Sequence, residues 1–256
     1  MTEFSPLESF ENALHHWRLV VILTIVGGLV GLIFHRLQPP VYDATVVFSI
    51  GIDFKNVGRE LTQYEEDLAV GAAGGLILST QVMEKVATQA RSQDIQIDYE
   101  ELRRISTLER RQTLWELRVR NTNPKTAETV ANIWGQQALA DLREARQHAW
   151  QAYRIQDELQ VLSQCIQDPN FVLPSGITCD STYADDVEQS IDVKQAEFDA
   201  ELQAARGILP ALLFDLSSEA HQADKPVALG VNLLVLSGAS IGFLIGVISS
   251  DNKVRK

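Results

Sequence analysis

The chain has 256 residues, 45% hydrophobic and 22% charged, and its 34 Asp+Glu against 22 Lys+Arg give a net charge of -12. So acidic a chain has no electrostatic footprint for nucleic acid and would be repelled by anionic lipid headgroups, which excludes both as partners. Mean hydropathy is -0.04, the average expected when strongly apolar segments are joined to a strongly polar domain.

From Leu19 to Phe34 sixteen residues carry no charge, bounded by Trp17 and Arg18 before and His35 and Arg36 after. With those flanks the run has the ~20 residues that cross a bilayer. A secretory signal peptide would need a basic leader and a small-residue cleavage site. Arg18 stands alone and no A-x-A follows His35, so the run reads as an uncleaved helix. A second apolar run, Val227 to Ile248, is opened by Lys225 and Pro226 and closed by Asp251, Lys253, Arg255 and Lys256. The tails hold four basic residues near the membrane and the middle only Arg36 and Lys225, so both tails are expected in the cytoplasm. The expected organisation is a cytoplasmic N-terminus (1–18), a first span (19–35), an extracytoplasmic domain (36–225), a second span (226–249) and a cytoplasmic tail (250–256). With four basic and four acidic residues in the tails, the domain itself carries -12.

After the first span, Gln38-Pro39-Pro40 stops the helix and Val41 to Ile52 reads as a strand rich in Val, Ile, Phe and Tyr. Two short helices follow, around Glu60 to Val70 and Thr80 to Arg91, separated by the small-residue run Gly71-Ala72-Ala73-Gly74-Gly75 and with Ser79 or Thr80 capping the second. A second strand is expected over Thr113–Arg120, where Leu114, Glu116, Arg118 and Arg120 alternate with Trp115, Leu117 and Val119. Asn123-Pro124 then supplies a capping side chain and a proline at the first helical position. A single apolar stripe follows: Val130, Trp134, Ala138, Leu142, Ala145, Ala149, Ala152, Leu159, Leu162 and Ile166, interrupted by Gln156. A helix over Pro124–Gln164 would be ~60 Å long and should project from the membrane.

Cys165 and Cys179 flank a stretch with Pro169, Pro174 and Gly176, which is loop chemistry. A disulfide between them would clip that loop and stabilise the domain by roughly 3 kcal/mol in an oxidising compartment. Asp180 to Thr182 offer N-caps for a returning helix, Val187, Ile191, Phe198, Leu202 and Ala205 continue the stripe, and Gly207 and Pro210 end it. The hairpin thus covers about 124–207. The returning helix is short enough to pair only with the outer part of its partner, leaving Pro124 to Ala140 to pack on the strands. Ala211 to Ser217 reads as a last strand. The fold class expected is an α+β membrane protein with two terminal transmembrane helices, a membrane-proximal α/β base and a long projecting helical hairpin of coiled-coil character.

No constellation for catalysis is read from the sequence. Three of the five histidines, His15, His16 and His35, flank a span, and His148 and His221 lie apart from further ligands. The glycines at 71–75 lack the Lys-Ser or Lys-Thr of a phosphate loop. The acidic groups Glu65-Glu66-Asp67, Glu100-Glu101 and Asp185-Asp186 read as solvated helix faces. No catalytic, cofactor or metal residues are expected, and the chain reads as a non-enzyme. The glycines with a specific meaning lie in the spans: Gly27 and Gly31 in the first, and Gly238, Gly242 and Gly246 in the second. Each set lines one helix face and lets another helix approach closely; Pro226 stands at the start of the second span. Trp134, Trp150, Tyr153 and Phe198 are expected in the hairpin seam or the base core.

Three segments carry a resemblance: Gln38-Pro39-Pro40-Val41-Tyr42-Asp43-Ala44, Ile77-Leu78-Ser79-Thr80-Gln81-Val82-Met83, and Asn123-Pro124-Lys125-Thr126-Ala127 with Ala131-Asn132. In this order, between two terminal spans, the chain resembles the Wzz-type chain-length determinants, or polysaccharide co-polymerases, of bacterial surface-polysaccharide assembly. Two departures stand out: the family's proline-rich motif at the second span is reduced to Pro226, and the domain is short. The resemblance implies a homo-oligomeric ring in the bacterial inner membrane with a periplasmic or extracellular domain. It would set the length of a lipid-linked glycan (O-antigen of lipopolysaccharide, capsule or exopolysaccharide) made by a separate polymerase, with no cofactor. An alternative is a membrane adaptor that activates a separate cytoplasmic tyrosine kinase of polysaccharide export. The kinase is separate because the chain stops at Lys256. A two-span ligand sensor and an extracytoplasmic enzyme are weaker rivals, lacking an output domain and a nucleophile with its base.

Overall fold

The computed structural model describes residues 17–56, 61–168, 171–172, 184–227 and 231–254. They form two compact units, one built from the two terminal arms and the other from Asp43 to Asp224.

The terminal unit contains helices α1 (Trp17–Leu37) and α7 (Val231–Val254). Trp17–Leu37 and Val231–Ser249 are both long and apolar enough to cross a membrane. Their apolar side chains are mostly exposed within this chain, the pattern a lipid-facing helix needs. Next to them, the Val227 N–H donates to the Val41 carbonyl at 2.6 Å.

The central unit is a four-stranded sheet covered on one face by helices. In chain order it contains β1 (Tyr42–Ile52), a 3-10 turn (Phe54–Asn56), α2 (Gln63–Ile77), α3 (Thr80–Arg91), α4 (Tyr99–Ile105), β2 (Ser106–Arg111), β3 (Leu114–Asn121), α5 (Pro124–Gln167), α6 (Ala184–Ala205) and β4 (Leu212–Ser218). The strand order is β2-β3-β1-β4. β1 pairs antiparallel with β4 and β2 with β3. Ile50 bonds Thr113 at one end of β1, and Asp43 meets Arg120 at the other, so β1 and β3 are antiparallel too. Alternation sets the two faces. Ala44, Val46, Phe48 and Ile50 of β1 and Leu117 and Val119 of β3 are buried against the helices, while Asp43, Glu116, Arg118 and Arg120 share the opposite face.

Caps account for the helix starts. Thr62 and Glu65 form a reciprocal capping box on α2, Ser79 caps α3, Asp98 caps α4, and the Asn123 carboxamide accepts from the Lys125 and Thr126 N–H groups. α6 ends where Arg206 (φ 52°) and Gly207 (φ 79°) turn left-handed.

Three expectations from the sequence are corrected here. The small-residue run does not divide two helices, because α2 continues through Gly71–Gly75 to Ile77. Ala73 and Gly74 are buried on its inner side, and a Cβ on Gly74 would collide with the Trp115 ring. Packing therefore outweighs the roughly 1 kcal/mol helix penalty of each glycine. A helix (α4) and an edge strand (β2) precede the expected second strand. The stripe along α5 also drifts: Ile155 and Cys165 are buried, while Ile166 is 49% exposed, since the 3.6-residue period moves the buried face off the positions expected. The N-cap residues expected at Asp180–Thr182 lie outside the described residues.

α5 spans 44 residues and α6 spans 22. Their pairing is antiparallel and confined to the outer part of α5: His148 Nδ1 meets Glu201 Oε2 at 2.6 Å and Lys194 Nζ meets Glu158 Oε2 at 2.8 Å. The inner half of α5 lies on the sheet and on α3. Trp134 is fully buried with its indole N–H donating to Ile77 O at 2.9 Å, and Gln137 donates to Gln89 at 2.6 Å. A Cβ on Gly135 would stand 2.9 Å from Val46 Cγ1, which shows how close the helix comes to β1. Asn132 clamps the chain beyond β4 by accepting from the Ala220 N–H at 2.8 Å and donating to its carbonyl at 3.0 Å. Ala220 is 2% exposed, so Asn132→Leu leaves a buried donor and acceptor unpaired. The expected cost is about 3 kcal/mol, read from denaturant unfolding of the full chain. A loss below about 1 kcal/mol would mean the clamp contributes nothing.

Candidate functional site

The glycines singled out in the spans meet each other. A Cβ on Gly27 would collide with the Gly238 carbonyl oxygen and stand 3.1 Å from Gly242 Cα; on Gly31 it would collide with the Leu234 carbonyl; on Gly242 with the Leu23 carbonyl; and on Gly246 it would lie 2.9 Å from Val20 Cα. Residue numbers rise on one helix as they fall on the other, so α1 and α7 pack antiparallel, backbone against backbone. The neighbour of each glycine face is thus the other terminal helix of the same chain. Such close approach is how helices associate where there is no water to drive apolar burial. Thr24, Ser237 and Ser240 donate their hydroxyls to the carbonyls four residues back at 2.7–2.8 Å, which satisfies these three polar side chains within their own helices. Pro226 is exposed, just before Val227, and takes no part in this seam. Cys165 is buried on α5, and Cys179 lies outside the described residues.

In the central unit, charged side chains build networks on both sides of the sheet. On the outer sheet face Glu116 accepts from Arg118 Nη2 at 2.5 Å and meets Arg111 Nε at 3.3 Å, while Arg118 also lies 3.5 Å from Glu109. The Arg118 hydrogen bond, with the charge of Arg111 and Arg118, holds the Glu116 carboxyl below its ordinary value of about 4.5. A carboxyl whose pKa is lowered by folding stabilises the fold above its unfolded pKa, and that contribution vanishes as pH falls through the folded value. Glu116→Gln should therefore flatten the acid limb of the stability curve below about pH 4.5, measured by thermal melts from pH 6 to 3; superimposable limbs for both proteins would remove the effect. On the other side Asp141, 3% exposed, bonds Lys85 Nζ at 2.7 Å and lies 3.9 Å from Arg206 Nη1, while Arg206 bonds Gln81. This pins α5, α3 and the turn after α6 together, the structural use of a buried ion pair. Among the described residues no group of three His, Cys, Asp or Glu converges as a metal site.

An open groove of about 540 Å³ lies where α2, the outer part of α5, α6 and the Gly207–Ala211 turn meet. Its walls include Trp150, Tyr153, Phe198 and Leu202 with Glu65 and Gln156. Trp134 has the core position expected of it, but Trp150 and Tyr153 are 40% and 45% exposed. Their rings stand edge to face with centroids 6.0 Å apart at 87°. Each follows directly on a seam alanine, Ala149 and Ala152, which turns it about 100° away from the buried line. That offset, two aromatics three apart and one step off the stripe, is the sequence signal that separates them from the core.

No family model and no curated protein matches the sequence. The structure is similar to that of a full-length bacterial polysaccharide co-polymerase, with a TM-score of 0.38 and 10% identity, covering 96% of this chain and 97% of that one. It is also similar to a point mutant of the Shigella flexneri lipopolysaccharide O-antigen chain-length regulator WzzBSF, with a TM-score of 0.23 and 9% identity, covering 73% of this chain and 99% of that one.

Proposed function

We propose that this chain is a non-enzymatic regulator of chain length in bacterial surface-polysaccharide assembly, anchored in the inner membrane by α1 and α7 with the central unit outside the cytoplasm. The observation that carries the reading is the order of elements. Two terminal apolar helices precede and follow, in the chain, a sheet whose first and last strands in sequence, β1 and β4, pair with each other, and a helix of 44 residues leaves this sheet and is met by a returning partner. The segments Gln38–Ala44, Ile77–Met83 and Asn123–Asn132, which carry the sequence resemblance, fall at the start of β1, at the α2–α3 junction and at the start of α5.

In this reading the chain works as a homo-oligomer beside a polymerase and positions a lipid-linked glycan without chemistry of its own. Cys165 pairs with Cys179 to close the tip of the hairpin. The test is deletion of the gene in its host, with the surface glycan resolved by length on a gel. The expected result is loss of the preferred length; an unaltered length distribution overturns the reading. Light scattering of the detergent-solubilised protein should give a multiple of 28.5 kDa, and a stable monomer would overturn the oligomeric part.

A further inference from the structure

We infer that the groove beside Trp150 is a binding site for a neutral saccharide. Its wall is amphipathic in a particular way. Trp150, Tyr153, Phe198 and Leu202 supply apolar surface, and the rings of Trp150 and Tyr153 are presented rather than buried. Neither the Trp150 indole N–H, the Tyr153 hydroxyl nor the Gln156 carboxamide bonds another described residue. Donors and acceptors left over on an aromatic wall match a pyranose, which offers a C–H face to a ring and hydroxyls around its rim.

Other occupants fit less well. A lipid chain would use none of these polar groups and would need an enclosed tunnel. A peptide strand would need a free sheet edge, whereas these walls are helices and a turn; a polyproline peptide would need a ridge of aligned rings, and Trp150 and Tyr153 stand at 87°. The net charge of -12 disfavours an acidic sugar. That the saccharide is a growing surface glycan rests on the chain-length reading above; the site itself does not.

The test is isothermal titration of the full chain in detergent with maltoheptaose, chitohexaose and mannohexaose, with a hexagalacturonate and a proline-rich peptide as contrasts. At least one neutral oligosaccharide should bind saturably. Trp150→Ala should weaken that binding at least tenfold and Gln156→Leu at least threefold, both variants melting as the parent does, and hexagalacturonate should bind at least tenfold more weakly. The assignment is overturned if no neutral oligosaccharide binds, if both variants bind as well as the parent, or if the proline-rich peptide binds more tightly than every oligosaccharide. Gene deletion separates the two claims: an altered glycan length with no oligosaccharide binding removes the site and keeps the regulator, whereas Trp150-dependent binding with unaltered length keeps the site and removes the regulator.

Discussion

In a chain carrying Gly27→Leu, helices α1 and α7 will no longer seat against each other. The atoms a side chain would meet there are Gly238 O and C and Gly242 Cα. All are backbone and cannot rotate away, so the helices must separate along their length and the close packing that holds them in lipid is lost. Cross-linking reads this directly. A Cβ at Gly28 lies 3.8 Å from the Ala239 Cβ, within the range of a disulfide. The pair Gly28→Cys and Ala239→Cys should therefore oxidise readily in the otherwise unaltered chain and at least tenfold more slowly once Gly27→Leu or Gly242→Leu is added. Gly75→Ala is the matched control, since a Cβ there meets nothing within 4 Å. Equal oxidation rates in all backgrounds would show that the glycine seam does not hold the pair. If the seam also orders the oligomer proposed above, Gly27→Leu will change the glycan length distribution too.

The second large effect is expected at Trp134. Truncation to alanine empties a fully buried site between α2, α3 and the sheet and leaves the Ile77 carbonyl without the indole donor. Large aromatic-to-alanine changes in cores cost about 3–5 kcal/mol, which for a domain of this size corresponds to a fall in melting temperature of roughly 10 °C. Trp150→Ala, in the groove, should cost about 1 kcal/mol or less. Calorimetric melts of the two variants side by side test the contrast. Similar losses for both would mean that Trp150 is core and that the groove is closed in solution.

Much of this architecture is legible in the chain because its causes are local. The uncharged runs announce α1 and α7, Asn123-Pro124 announces the start of α5, and the alternation Trp115, Leu117, Val119 announces β3. The hairpin of β2 and β3 was hidden for an equally physical reason. Its two-residue turn, Gln112-Thr113, carries none of the Gly, Asn or Asp expected where φ is positive, yet Gln112 adopts φ 56°. β2 is also an edge strand, and Glu109, Arg110 and Arg111 give it the charges that keep an edge from pairing with another chain while erasing the apolar signature of a strand.

The same division holds for the sites. That Gly27, Gly31, Gly238, Gly242 and Gly246 line helix faces follows from spacing alone, because 3.6 residues per turn fixes which positions share a face. That the two faces meet each other, with Gly27 on Gly238 and Gly246 on Val20, is decided only when the chain closes on itself, since spacing carries no information about what lies across an interface. The groove is further still from the sequence. Glu65, Trp150, Phe198 and Pro210 are brought to one place by the antiparallel return of α6 along α5, and the exposure of Trp150 and Tyr153 depends on a seam narrow enough to be filled by alanines. Periodicity by itself determined which residues face inward along each element; only tertiary packing, which joins residues distant in sequence, decided which inward faces share a core and which aromatic side chains remain open to solvent.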